Sequence, residues 1–202
     1  MLEFVLREHF RLAAHAALLF AVGLFVSWPV IRCRLRGVAL VPLAVFRVVL
    51  KLIGPAPSIA RTAAVVFCFN GAVMFLCMAS GFHPLPPKLL GIWTGLNIGV
   101  ITGLARQEPL MAAGGSGPGR WAPPRWLTAL CSLAVLTLEL PCFWLALAMG
   151  MSMGHAVQAG TQSYLEALTP RAGAYGAVIL PALLLSAVAE AVAVRGSSAP
   201  SA

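Results

Sequence analysis

Apolar runs of about twenty residues recur along this chain, separated by short basic or proline- and glycine-rich stretches. Each run is long enough to cross a hydrocarbon core about 30 Å thick as one helix. A helix satisfies its own backbone hydrogen bonds, which lipid cannot do for it. The pattern predicts an all-α fold: a polytopic transmembrane helical bundle with five to six spans and one or two interfacial or re-entrant helices. Composition agrees. The chain is 60% hydrophobic and 10% charged, whereas a soluble domain carries about 25% charged residues.

The net charge of +8 has a topological reading. Arg and Lys cluster between the apolar runs, as the positive-inside rule requires, so no nucleic-acid partner is expected. Aspartate is absent, and the six acids are Glu3, Glu8, Glu108, Glu139, Glu166 and Glu190. Cys33, Cys68, Cys77, Cys131 and Cys142 show no CxxC spacing. Most lie in apolar runs, which points to buried, inert thiols rather than metal ligands or disulfides. No cofactor or metal is expected. The first apolar run is too long for a signal-peptide core and lacks a clear cleavage site, so it reads as a retained span.

One transmembrane domain is expected over 1–195, followed by a small, polar, disordered tail at 196–202. Residues 1–11 are amphipathic: Leu2, Phe4, Val5 and Leu6 suit a membrane surface, while Glu3, Arg7 and Arg11 suit water. Spans are expected at about 12–31, 61–80, 89–104, 126–150 and 174–194. Segment 37–54 is ambiguous. Arg36, Arg47 and Lys51 form one basic stripe on a helix, which suits an interfacial helix on anionic lipid or a partner surface. A short span with snorkelling cations is the alternative. Glycines at 114, 115, 117 and 119 and Pro123–Pro124 make 105–125 a flexible loop. Residues 155–169 are too polar to cross and suggest a surface or re-entrant helix ended by Pro170.

Charge counting favours five spans with the N-terminus outside. Arg32, Arg34, Arg36, Arg47, Lys51, Arg61, Arg106, Arg120, Arg125 and Arg195 then lie inside, against Arg7, Arg11, Lys88 and Arg171 outside, a split of 10 to 4. Six spans give 8 inside, 5 outside and Arg47 within the membrane. Both arrangements put the C-terminus on the cytoplasmic side.

Three features stand out within the spans. Gly91, Gly95, Gly99 and Gly103 are three overlapping GxxxG units on one helix face. Such a face lets a second backbone approach closely, in this chain or another. Glu139 lies about 13 residues into a 25-residue run, near mid-membrane by helical rise. A carboxylate at that depth costs a few kcal/mol or more unless neutral, paired or hydrated. Thr128 and Ser132 share its face, and Pro141 removes a backbone donor just beyond it. Glu190 shares a face with Ala182 and Ser186 near the end of the last span, one turn from Arg195. Asn70 and Asn97, each mid-span, are candidates to bond either glutamate or a neighbouring backbone. These residues form a candidate intramembrane polar site, functional or structural.

Two motifs carry little weight. Gly150-Met151-Ser152-Met153-Gly154 matches GxSxG with His155 beside it, but a nucleophile elbow needs a strand-to-helix turn. His15, His83 and His155 have no metal-binding spacing. There is no Walker A sequence, so any ATP coupling would come from another chain.

Glu139-Leu140-Pro141, followed by an apolar half-helix with Gly150 and Gly154, resembles the stage II sporulation protein M family. Ala189-Glu190-Ala191 is similar to that family's late glutamate, and Gly95-Leu96-Asn97-Ile98-Gly99 to its glycine-and-asparagine span. The likeness covers about 60–195. Ala134-Val135-Leu136-Thr137 departs from the family's Pro-His-Gly run, its paired asparagine is reduced to Asn70, and the first 60 residues match poorly. The resemblance implies a non-enzymatic multi-span membrane protein with no catalytic residue. Family members are associated with envelope-remodelling machines as scaffolds for cell-wall hydrolases, and others resemble accessory parts of peptide export and immunity systems. Two expectations follow. One is a scaffold subunit of an envelope complex in the inner membrane, assembling through small-residue faces as a homo- or hetero-oligomer. The other is a permease-like subunit of an ABC-type exporter with a separate ATPase. An intramembrane enzyme is the weakest of the three readings.

Overall fold

A computed structural model describes residues 2–33, 35–54, 58–105 and 125–197 of the protein; the side chains of 2–8, 36, 104–105, 125–129, 132 and 194–197 lie outside that description. The described residues are all helix and turn. In chain order the helices are α1 (Leu2–Arg32), α2 (Arg36–Ile53), α3 (Ile59–Ala79), α4 (Leu85–Ala105), α5 (Arg125–Gln158), α6 (Tyr164–Ala174) and α7 (Leu180–Ser197), with a π-helical turn at Tyr175–Ile179 joining the last two. By length and composition, His9–Arg32, Ile59–Ala79, Leu133–Gln158 and Tyr164–Ala193 are apolar and long enough to cross a bilayer.

Several expected boundaries change. Residues 2–11 are not a separate surface helix but the start of α1, because no glycine or proline interrupts the chain before Gly23. The span expected at 126–150 runs on to Gln158. That helix has 34 residues and is about 50 Å long by helical rise, so it outreaches the hydrocarbon. The chain then reverses at 159–163, with Gly160 at φ +68°, a left-handed conformation that favours glycine. Ser163 caps the next helix: its side chain accepts from Glu166 N–H, and the Glu166 carboxylate accepts from Ser163 N–H at 2.8 Å, completing a capping box.

Pro170 does not end this helix. The chain continues through it and through the π turn into α7, where Leu180 N–H donates to the Tyr175 carbonyl five residues back. Pro181 follows at once. Its ring would crowd the carbonyl four residues earlier in a regular α-helix, and the widened turn relieves that. The separate surface helix at 155–169 is thus replaced by the ends of two long helices. The loop expected at 105–125 lies mostly outside the described residues, as does the tail beyond Ser197.

Neighbour contacts fix the helix directions. Gly91, Gly95, Gly99 and Gly103 of α4 meet Leu19, Phe20, Ser27 and Ile31 of α1 in rising order, so α1 and α4 are parallel. Asn70 meets Glu139 while the carbonyl of Cys77 meets Gly150, so α3 and α5 are parallel too. Ala63 and Val66 of α3 pack with Ala187 and Ala191, while Gly71 lies against Tyr175, so α3 and α7 are antiparallel. α1, α4 and the α6–α7 rod run one way; α3 and α5 run the other.

The second half of α5 is the centre of the bundle. Ala146, Leu147, Ala148, Met149, Met151 and Met153 are fully buried, which is the mark of a helix apolar on all sides. The three methionines supply flexible side chains that fill irregular gaps between helices. The first half of α5 is looser: Leu130, Leu133 and Leu136 are each more than half exposed. Cys77 and Cys142 sit in the core as expected, but Cys33, in the turn after α1, and Cys68, on the outer face of α3, are exposed.

Candidate functional site

The polar centre of the bundle lies where α3, α5 and α7 meet. Glu139 of α5 accepts two hydrogen bonds on one carboxylate oxygen, Oε1. One comes from Asn70 Nδ2 of α3 at 3.1 Å, the other from Ser186 Oγ of α7 at 3.0 Å. Ser186 is fully buried, while Asn70 and Glu139 are half-buried. Three helices are thereby joined at one atom. In hydrocarbon an unsatisfied donor has nowhere to turn, so these bonds fix helix rotation and depth as well as adding stability.

The other expected members of the site are placed differently. Pro141 is exposed one turn beyond, and it deprives the Thr137 carbonyl of its regular donor. Thr137 turns its own hydroxyl inward along the helix, donating to the Leu133 carbonyl at 2.9 Å. Glu190 lies one turn after Ser186 on α7 and is half-buried. The side chain of Arg195, its expected partner, is outside the described residues, as are those of Thr128 and Ser132. Asn97 does not join the triad. Its buried Oδ1 has no hydrogen-bond partner among the described residues.

Other polar latches escaped sequence reasoning. Tyr175 of the π turn donates to the Gly71 carbonyl at 2.6 Å, and Tyr164 donates to the Ala79 carbonyl at 2.7 Å. Both tie the α6–α7 rod to α3. No spacing rule links positions about a hundred residues apart. The only available signal was that these are the two tyrosines of the chain, flanking a segment read as surface.

The glycine ladder finds its partner within the chain. A Cβ on Gly95 would overlap the Phe20 carbonyl oxygen, one on Gly99 would overlap Ser27 Oγ, and one on Gly103 would overlap Ile31 Cδ1. α1 returns the approach, since a Cβ on Gly23 would overlap the Ile92 carbonyl oxygen. The ladder is therefore occupied by α1 and is not an open face for a second chain. A second set of close approaches seats the turn between α3 and α4 on α5. A Cβ on Gly150 would lie 2.5 Å from the Cys77 carbonyl oxygen, and one on Gly154 would lie 2.5 Å from the His83 carbonyl carbon.

This packing accounts for the GxSxG match. Its two glycines are contact points for the turn, its methionines are core residues, and Ser152 Oγ accepts from Arg171 Nη2 at 2.8 Å. Among the described residues no three His, Cys, Asp or Glu side chains are grouped as metal ligands. The basic stripe is found on α2, where Arg47 and Lys51 are both exposed; the side chain of Arg36 is outside the described residues.

Comparison with known proteins gives one match: the family described as stage II sporulation protein M, over residues 16–194. No curated protein and no solved structure matches the chain.

Proposed function

This chain belongs to the stage II sporulation protein M family, and we propose that it is a non-enzymatic, membrane-embedded scaffold subunit of a multiprotein envelope complex. One observation carries this reading: Glu139, Tyr175 and Ser152 inside the bundle are engaged with other helices of the same chain. Glu139 is held by Asn70 and Ser186, Tyr175 by Gly71, and Ser152 by Arg171. Groups tied in this way lock helices together instead of waiting for a substrate. The family resemblance supports the same role.

In this reading α1, α3, α4, α5 and the α6–α7 rod are five crossings of the inner membrane. The N-terminus is outside and the C-terminus cytoplasmic. The parallel direction of α1 and α4 supports five rather than six, since a crossing by α2 would make them antiparallel. The direction also gathers Arg32, Arg47, Lys51 and Arg61 at one end of the bundle, as the positive-inside rule asks of a cytoplasmic face. With the glycine ladder closed by α1, partners must dock on other faces. A permease-like role beside a separate ATPase is the less supported alternative, because a six-span topology would favour it and the helix directions favour five.

A pull-down from native membranes in mild detergent, with the partner chains identified, tests the proposal. Recovery of an envelope protein or cell-wall hydrolase is the expected result. Recovery of a P-loop ATPase would replace it with the permease reading, and a chain recovered alone as a monomer would end both.

A further inference from the structure

α2 has three faces, and among the described residues one of them packs against protein. Pro42 is fully buried, and Ala39, Leu43, Phe46, Val49 and Ile53 are half-buried on the same side. This side rests on α3 and α4. Next to it Val38, Val41, Val45, Val48 and Leu52 follow one another at spacings of three and four, so they form a single stripe. All five are exposed, Val48 by 57% and Leu52 by 54%. Beyond that stripe Arg47 and Lys51 stand one turn apart, both exposed.

The placement of the helix matches these faces. α2 connects the end of α1 to the start of α3, and the parallel direction of α1 and α4 leaves no crossing for it between them. Its last turn is pinned there: Arg61 Nε of α3 donates to the Leu52 carbonyl at 3.1 Å. Arg32 lies at the same end with its guanidinium 5.0 Å over the Trp28 ring. Tryptophan with a flanking cation is typical of the membrane–water boundary. Neither α2 nor the two helices beneath it, α3 and α4, contains an acidic residue. Nothing on those elements neutralises Arg47 and Lys51.

We propose that α2 is an in-plane helix that lies in one leaflet and binds the phosphate headgroups of anionic phospholipids through Arg47 and Lys51. The exposed valine and leucine stripe enters the acyl boundary, continuous with the lipid-facing surface of the spans. The two cations sit at headgroup level beside it. An apolar stripe next to unneutralised cations fits an anionic lipid surface. A protein partner would have to cover both stripes at once.

The test uses the full chain reconstituted in phosphatidylcholine vesicles with or without phosphatidylglycerol. Spin-labelled forms of the two lipids report their relative association with the protein. Wild type should favour the anionic lipid about fivefold, the effect of about one surface cation. Arg47→Gln/Lys51→Gln should bring the ratio close to one. Both side chains are exposed, so the variant should fold. Depth is read separately by fluorophores at Val45→Cys and Lys51→Cys, in a background with exposed Cys33 and Cys68 replaced by Ala. Quenchers in the acyl region should reach the first site, and aqueous quenchers the second. Equal association of both lipids would overturn headgroup binding. Aqueous quenching at both sites would make α2 a docking surface for protein, and acyl quenching at both would make it a span.

Discussion

Gly95→Ala is the sharpest probe of the parallel α1–α4 pair. The added methyl carbon would lie 3.0 Å from the Phe20 carbonyl carbon and 3.1 Å from the Leu24 amide nitrogen, and it would overlap the Phe20 oxygen outright. All three are backbone atoms, so no side chain can turn aside and the helices must separate. Overpacking of this kind costs about 1–3 kcal/mol. The usual gain from replacing a helical glycine by alanine, about 0.5–1 kcal/mol, offsets only part of it. Gly173 is the internal control, because a Cβ there meets nothing within 4 Å. Gly173→Ala should be neutral or slightly stabilising. Because that gain is common to both substitutions, the two variants should differ by about 1–3 kcal/mol, the overpacking cost alone. Unfolding of purified protein in mild detergent, followed by loss of helical circular dichroism, measures the difference. Equal stability of the two variants would refute the ladder as an internal seam.

Five further substitutions test the polar contacts. Glu139→Gln keeps an acceptor for Asn70 and Ser186 and should leave detergent stability near wild type. Glu139→Leu strands both donors and should cost about 1–3 kcal/mol, from two interhelical bonds of at most about 1.7 each. Tyr175→Phe removes the donor to the Gly71 carbonyl and should cost about 1 kcal/mol by the same unfolding measurement. Ser163→Ala breaks the capping box and should cost about 1 kcal/mol, with hydrogen exchange rising first at the start of α6. Ser152→Ala should leave partner recovery in the pull-down unchanged, whereas its loss would give that hydroxyl a role beyond meeting Arg171.

The helix inventory was legible because it rests on hydropathy, which local sequence carries. Runs near 12–31 and 61–80 correspond to α1 and α3, with α1 starting ten residues earlier and α3 two. Helix ends were less legible. Pro170 reads as a stop signal, yet the helix passes through it, and Arg171 Nη1 donates to the Ala167 carbonyl at 2.7 Å one turn back. Long-range pairing was the least legible. Asn70 and Glu139 stood out as mid-span polar residues, each demanding a partner. Ser186 was visible only as one member of the Glu190 face. Its bond to Glu139 depends on the antiparallel register of α5 and α7, which no local pattern encodes. Asn97 shows the converse: it had the same sequence signal as Asn70, but α4 turns it elsewhere.

Glycines and polar groups do complementary work in this bundle. Close backbone approach holds α1 to α4 and seats the turn between α3 and α4 on α5, but smooth contact alone leaves helices free to slide. The Glu139 triad supplies the missing constraint at mid-depth, since a one-residue slip of α7 would turn Ser186 away by about 100°. Tyr175 and Tyr164 repeat that constraint higher on α3. Together these bonds fix the α6–α7 rod at three levels, once against α5 and twice against α3. Before Glu139, the described side chains of α5 make no comparable interhelical bond, and Leu130, Leu133 and Leu136 are exposed. If this chain assembles with others, the half of the bundle that is polar-locked is the rigid part. The exposed half of α5, near Glu139 and Glu190, is the part left free to accept a neighbour's helix. Crosslinking from Leu133 and Leu136 should therefore capture partner chains more readily than crosslinking from exposed Leu165 on α6.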